Sequence, residues 1–346
     1  MNKTFFILIF SFLPIICYPQ TGGQAVYSFM EISASPYAGA LGGKTISSVN
    51  SPDLIFFNPA LLDSTDANLL SINYQSYLAG INLGEMIFAT TNHKIGNFAF
   101  GMHYINYGQF EKYDEFANYY GKFTAAEYLP FISYSLQPDS QLTVGINLKT
   151  IYSRLENYTS YGYAIDLGLF FRANDYLYLA LVARNMGKQI KPYFTTYEPL
   201  PFNISLGTTI KPRYAPFRLN ITLDYLNKWN LRYKSPVNQL YLPPFADTVS
   251  TVYKITSAVD EFMRHTHLGA EIILSPHFLI ILGYNYRQGK ELSLPTVRTL
   301  NGFSFGMALL TSKVNFVYSY RKIMRFGANS FGITLNFNKF HFRRPK

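Results

Sequence analysis

The chain has 346 residues and a formal charge of +10, with 48% hydrophobic, 17% aromatic and only 14% charged residues, where an ordinary soluble domain carries roughly 25% charged. This apolar, aromatic content excludes a disordered chain, and one Cys in the whole sequence excludes a disulfide- or metal-built scaffold. A mean hydropathy of +0.02 argues against a bundle of membrane helices, each of which needs about 18 or more apolar residues in a row.

Met1–Lys3 is short and basic, and Phe5–Ile16 is an apolar run of signal-peptide length, too short to span a bilayer as a helix. Residues 1–19 are therefore expected to be an export signal, with cleavage near 17–20. An acylated Cys17 is the competing reading, although Ile16 is bulky where a lipoprotein signal has a small residue.

Residues 20–67 are rich in small residues and turn formers, yet include Leu54, Ile55, Phe56, Phe57, Leu61 and Leu62, which demand burial. From about residue 68 the pattern changes to strict alternation, the mark of half-buried strands. Tyr161, Tyr163, Ile165, Leu167, Leu169 and Phe171 share one face, with Gly162, Ala164, Asp166, Gly168 and Phe170 on the other. The same pattern recurs over 202–210, 217–225 and 331–337. The apolar face is large, while the other is Gly, Ser, Thr and Asn with few Lys or Glu. A soluble sandwich would reverse that usage. A transmembrane β-barrel explains it, with lipid outside and a polar lumen inside, and closure is compulsory because hydrocarbon cannot satisfy a free strand edge.

About fourteen antiparallel strands are expected, near 68–79, 82–93, 96–110, 124–137, 140–155, 159–172, 175–186, 200–212, 215–231, 265–275, 277–288, 299–311, 313–325 and 329–338, so that the barrel occupies 68–340. Every second connection is tight, and the long ones (111–123, 187–199, 232–264 and 289–298) fall on one side, which is then the outer side. Within the 232–264 insertion, Val249–Arg264 reads as a short amphipathic helix after Pro243-Pro244. Tyr104, Tyr107, Tyr152, Tyr284, Tyr286, Tyr318 and Tyr320 cluster toward the outer strand ends as an interfacial girdle. Residues 20–67 then have a natural place as a plug in the lumen, the alternative being a periplasmic tail. Pro130, inside the fourth strand, marks a bulge or wall gap.

No phosphate-binding loop, metalloprotease helix or nucleophile elbow occurs, so no catalytic, cofactor-binding or metal residue is assigned. His265 and His267 share a strand face without a third ligand in view. Asp166, Lys149, Glu85, His103, Asp224, Glu271 and Arg321 project inward, as a polar network bracing a plug. The alternative, a catalytic set at the barrel mouth, is the weaker reading. Arg287, Lys290, Arg298, Arg321, Lys322 and Arg325 gather near the outer rim as candidate contacts for lipopolysaccharide phosphates. Nucleic acid is not an expected partner of an exported barrel. The single Trp, Trp229, is either an interfacial anchor or a partner contact.

Ala40-Leu41-Gly42-Gly43 and Asn58-Pro59-Ala60 resemble the plug signature of the FadL-like fourteen-stranded outer-membrane proteins. Tyr77–Asn82, Tyr104–Gly108, Glu198–Phe202, Ala215–Arg218, Leu226–Trp229, Gly283–Arg287 and Gly302–Gly306 further resemble the PorQ-type barrels of the type IX secretion system. Ser35-Pro36-Tyr37 departs from the Ser-x-Arg that those proteins often carry before Ala-Leu-Gly-Gly. The resemblance implies an outer-membrane, non-enzymatic subunit of a cell-surface attachment complex. Such a subunit anchors a PorZ-like surface protein, works beside PorU- and PorV-like subunits, and supports attachment of cargo to lipopolysaccharide. The connections 187–199 and 232–264 would be its docking loops. A FadL-like channel for hydrophobic compounds and a PorV-like cargo shuttle are the alternatives.

Overall fold

The computed structural model describes residues 25–63, 67–92, 95–232, 251–292, 300–324 and 326–340, with the backbone alone for 251–257. The expected export signal at 1–19 with Cys17, Pro243-Pro244, Arg298 and Arg325 lie outside the described residues.

Fourteen strands pair antiparallel in sequence order and close on themselves. They are β1 (Leu69–Ser76), β2 (Asn82–Asn92), β3 (Gly96–Tyr113), β4 (Tyr119–Leu136), β5 (Leu142–Leu155), β6 (Tyr158–Asn174), β7 (Leu177–Lys191), β8 (Asn203–Ile210), β9 (Phe217–Leu223), β10 (Thr266–Ser275), β11 (Phe278–Asn285), β12 (Phe303–Leu310), β13 (Val314–Ile323) and β14 (Phe326–Asn336). The seam joins β1 to β14 in unbroken register, from Leu69 opposite Asn336 to Ser76 opposite Asn329. No sheet edge is left within the cylinder, which is the condition for a sheet to sit in hydrocarbon.

Alternation in the sequence becomes inside and outside in the structure. In β6, Leu167 is 50% exposed while its neighbour Asp166 is 0% exposed. Tyr161, Tyr163, Leu169 and Phe171 also face outward, against buried Ala164 and Phe170. In β14, Phe331 and Ile333 face out while Ser330 and Thr334 face in. A row of rings, Tyr104–Tyr128–Tyr152–Tyr161, crosses β3 to β6 with centroids 4.9, 5.9 and 5.2 Å apart. This is an aromatic girdle near the outer strand ends. Two expected members leave it. Tyr107 turns inward to donate to Glu127, and Tyr286 donates to Asp260 from a helix.

The differences from the expected strands have local causes. The 111–123 connection is mostly strand, because Tyr113, Tyr119 and Phe123 are good strand formers. Only 114–118 link β3 to β4, in a turn where Asp114 accepts from the Phe116 and Asn118 amides (2.9 and 2.8 Å). β9 stops at Leu223 rather than 231: Asp224 turns inward, Tyr225 adopts a left-handed φ of 57°, and Leu226 bonds back to the Ile204 carbonyl. β11 ends early because Asn285 caps a short helix, α3 (Tyr286–Glu291), by accepting from the Gln288 amide at 2.9 Å. The expected helix of the insertion is α2 (Thr251–Arg264), and the N-terminal segment contributes α1 (Pro36–Ala40).

Leu167 sits midway along β6, so a cation there meets the bilayer midplane. Leu167→Arg is expected to lower folding stability in lipid vesicles by about 2–4 kcal/mol. Urea unfolding followed by tyrosine fluorescence measures it. The same change at a strand end, Phe171→Arg, is expected to cost about 1 kcal/mol or less.

Candidate functional site: the filled lumen and the outer rim

A closed sheet of this size encloses space, and here residues 25–63 occupy it. Val26 donates to the Pro199 carbonyl at the outer mouth (3.0 Å), and Tyr27 bonds Ser160 beside it. Ser35 caps α1 by accepting from the Ala38 amide (3.0 Å), with Pro36 at the first helical position, where its missing N–H costs nothing. α1 is wholly buried against β11–β14 and β1. The segment then crosses the lumen through Ile46 and Asn50 and reaches the inner half at Asn58-Pro59.

Two places show why the wall opposite this segment is made of small residues. Gly42 and Gly43 have φ of 88° and 97°, the left-handed region that disfavours any Cβ. A Cβ on Gly42 would also lie 3.2 Å from the Tyr284 backbone. The Gly42 amide donates to Ser304 (3.0 Å), which itself donates to the Ala40 carbonyl (2.8 Å), and His267 donates to the Gly42 carbonyl (3.0 Å). Farther in, Asn58 accepts from the Ala60 amide (2.9 Å) and donates to the Ile46 carbonyl (2.8 Å). It presses with Pro59 on Gly168 and Gly145, where an added Cβ would stand 2.1 Å from Asn58 Oδ1 and 2.4 Å from the Pro59 carbonyl carbon.

Charge fastens the segment. Lys44 pairs with Glu31 of its own segment and with Asp224 of the wall, each at 2.9 Å. Arg184 approaches Glu31 at 3.6 Å and donates to the Met30 carbonyl at 2.9 Å. Asn185 and Asn203 complete the shell of Glu31 at 2.6 and 3.2 Å. Elsewhere Asn50 donates to Glu271 (2.9 Å), which Arg218 also holds (3.0 Å), and Ser33 donates to Glu85 (3.0 Å). Lys149 and Asp166, both fully buried, pair at 2.5 Å beside the Phe56 ring. A buried pair adds little net stability, but loss of one partner strands the other.

Of the inward-facing residues named from sequence, Glu85, His103, Lys149, Asp166, Asp224 and Glu271 are buried in the interior. The members missed there include Glu31, Lys44 and Arg184. The first two lie in a segment with no periodicity. Arg184 and Asn185 are consecutive yet both buried, because Asn185 has φ 59° at a bulge between β6 and β7. Ser35-Pro36-Tyr37 brings no cation to the wall, and Lys44, just after the glycines, does.

The four basic rim residues that are described do not converge. Arg321 turns inward beside Gly43 and the Tyr77 ring (5.9 Å), away from any lipid face. Arg287 lies over the Tyr225 ring at 4.6 Å in the outer mouth. Lys290 is exposed over Tyr286, and Lys322 is partly buried. Trp229 is not at a strand end. It sits in the irregular segment after β9, 60% exposed and stacked on His265 with centroids 5.2 Å apart. His265 donates to the Asp224 carbonyl (2.6 Å) and faces the Trp229 carbonyl (3.0 Å). Around it, Asp260 of α2 binds Arg264 (3.0 Å), Arg232 (3.2 Å) and Tyr286 (2.8 Å). Pro130 leaves the β4–β5 ladder without partners at 129 and 130, beside a cavity of about 480 Å³ lined by Phe100, Phe131, Leu148, Lys149 and Tyr163.

Lys44→Ala is expected to cost about 3–5 kcal/mol, since it leaves Glu31 and Asp224 buried without their cation. The double variant Lys44→Ala/Asp224→Asn should cost less than the sum of the two single changes, as a double-mutant cycle in vesicles would show. Burial raises the Asp260 carboxyl, but Arg264, Tyr286 and Arg232 more than offset it, so it lies below the usual carboxylate range. The α2 packing it supports is fully present above a pH of about 4 and is lost as pH falls through the depressed value. Amide protection factors over 258–264 should decline only in that acid range.

No family model matches the chain, and no curated protein matches it. Solved structures do. A mutant of the monoaromatic hydrocarbon channel TodX aligns at 13% identity and a TM-score of 0.55 over 90% of this chain and all of its own. The toluene transporter TodX of Pseudomonas putida aligns at 11% and 0.53, over 88% of this chain and 96% of its own. CymD, another monoaromatic hydrocarbon channel, aligns at 12% and 0.50, over 89% and 98%. These neighbours are channels and transporters, and likeness at such identity concerns architecture alone: the chain shares their closed β-barrel fold.

Proposed function

We propose that this protein is a non-enzymatic outer-membrane anchor, a barrel that holds a surface protein rather than conducting a solute. The observation that carries the reading is the filled lumen. Residues 25–63 cross it from the outer mouth to the inner half, and buried ion pairs and wall glycines fit them in place. An interior so committed leaves the outer rim as the working surface. The resemblance to PorQ-type barrels supplies the partners: a PorZ-like surface protein, with PorU- and PorV-like subunits of a type IX attachment complex alongside and lipopolysaccharide around the rim. Lys290 and Lys322 remain candidates for its phosphates.

The second reading is a channel for small hydrophobic compounds. Its support is the fold shared with TodX and CymD, together with the interrupted ladder and cavity at Pro130. A wall gap opening on lipid suits an apolar solute better than an ion.

Isolation of the protein from outer membranes in mild detergent, with identification of what accompanies it, separates the two. The anchor reading expects a surface protein in stoichiometric yield, and a deletion strain that sheds this protein into the medium. It is wrong if deletion leaves surface proteins attached and instead abolishes uptake of a compound such as toluene.

A further inference from the structure

β3 and β4 are the longest strands, and they outrun their neighbours. β2 begins at Asn82, opposite Asn106 of β3, and β5 ends at Leu155, opposite Ala125 of β4. Above those points β3 and β4 pair only with each other, from Gln109 opposite Thr124 to Tyr113 opposite Tyr119. The result is a two-stranded ribbon standing clear of the barrel by about 20 Å, at roughly 3.3 Å per residue. A bulge at Gly108, with φ of 86°, sets its twist where it leaves the cylinder, and a second at Gly121, with φ of 109°, lies nearer the tip.

Both flanks of a ribbon are edges, but they differ here. On the β4 side, Glu156 donates its amide to the Thr124 carbonyl, and its side chain reaches Lys112. On the β3 side, among the described residues, no strand pairs with Gln109–Tyr113. This leaves a row of unpaired N–H and C=O groups, the feature that invites strand addition. The rings here are also misplaced for lipid. Phe116 is 84% and Tyr120 75% exposed, and Phe110 and Tyr113 are exposed as well, all above the Tyr104–Tyr161 girdle. Exposed apolar surface beyond the membrane marks an interaction site.

Charge selects the occupant. Lys122 lies opposite Glu111 and Lys112 pairs with Glu156, which leaves Asp114 and Glu115 at the tip without a cation among these neighbours. An anionic lipid surface is repelled by that tip. A second copy in the same membrane would bring the same acidic tip, Asp114 and Glu115 again, and no additional cation. We infer that the free β3 edge, Gln109–Tyr113, docks an extended strand of the surface partner, a strand that carries basic side chains toward Asp114 and Glu115. This rests on the anchor reading, and moves the docking surface from the 187–199 and 232–264 connections to the ribbon.

The test uses the full-length protein in outer membranes, with a photo-crosslinking residue at Gln109 or Glu111 and, for comparison, at Phe194 or Trp229. The partner recovered with the wild-type chain is identified by mass spectrometry, purified and added back for amide exchange. The expected result is crosslinking at 109 and 111 but not at 194 or 229, slowed exchange over 109–113, and at least tenfold weaker binding by Glu115→Lys, which spares the Asp114 that holds the turn. Unaltered heat-dependent gel mobility will show that the barrel of this variant is intact, and unaltered exchange over 109–123 without partner will show that its ribbon is. Wild-type chain that recovers a partner crosslinked only at 194 or 229, with the charge reversal silent, overturns the inference and leaves the anchor reading standing. Crosslinks to lipopolysaccharide or to a second copy overturn it too. Wild-type chain that recovers no surface protein overturns both.

Discussion

The structure depends on one constraint: a backbone N–H or C=O in hydrocarbon must find its partner within the protein. The fourteen strands meet it by closing, β1 on β14, and everything else follows from closure. Closure turns alternation into two solvents, lipid outside and a lumen within. It also creates a volume that a small barrel fills with side chains and a larger one must fill otherwise. Here the chain's own beginning fills it. The small inner-face residues, such as Gly145 and Gly168 under Asn58-Pro59, are room left for that segment.

The filling is specific as well as dense. Polar groups taken out of water must be paired, and the interior pairs them across long sequence separations: Lys44 with Asp224, Ser33 with Glu85, Asn50 with Glu271. Such contacts define one placement of the segment, because a shift would leave several buried charges uncompensated at once. That is the physical reason to regard the interior as structural.

Sequence periodicity carried the fold a long way. Strands such as β6 and β14 could be read residue by residue, because lipid on one side and a crowded lumen on the other impose strict alternation. What periodicity missed has no periodic signal. The part of the ribbon at 111–123 looked like a loop because its length exceeds the membrane and its residues are polar and aromatic by turns. The end of β9 was hidden because Asp224 and Tyr225 still alternate, while a left-handed turn at Tyr225 takes the chain out of the sheet. The Arg184–Asn185 bulge places two consecutive residues inside, which no period-2 rule allows. Lys44 could be noticed after Gly42-Gly43, but its partner lies 180 residues away, and only the closed topology brings them together.

The segment's contacts also straddle the seam. Pro36 of α1 lies against Gly332 of β14, the last strand made, while Ser33, three residues earlier, is bound to Glu85 of β2. The first and last parts of the cylinder are therefore gripped by one short stretch of chain, like a mandrel around which a sheet is rolled. Unzipping β1 from β14 would expose not only backbone groups but the anchorage of Pro36 and Ser33. Removing the mandrel would in turn leave the two lips of the sheet with only their own hydrogen bonds. Cylinder and filler accordingly form a single cooperative unit, in which neither is stable in the form seen here without the other.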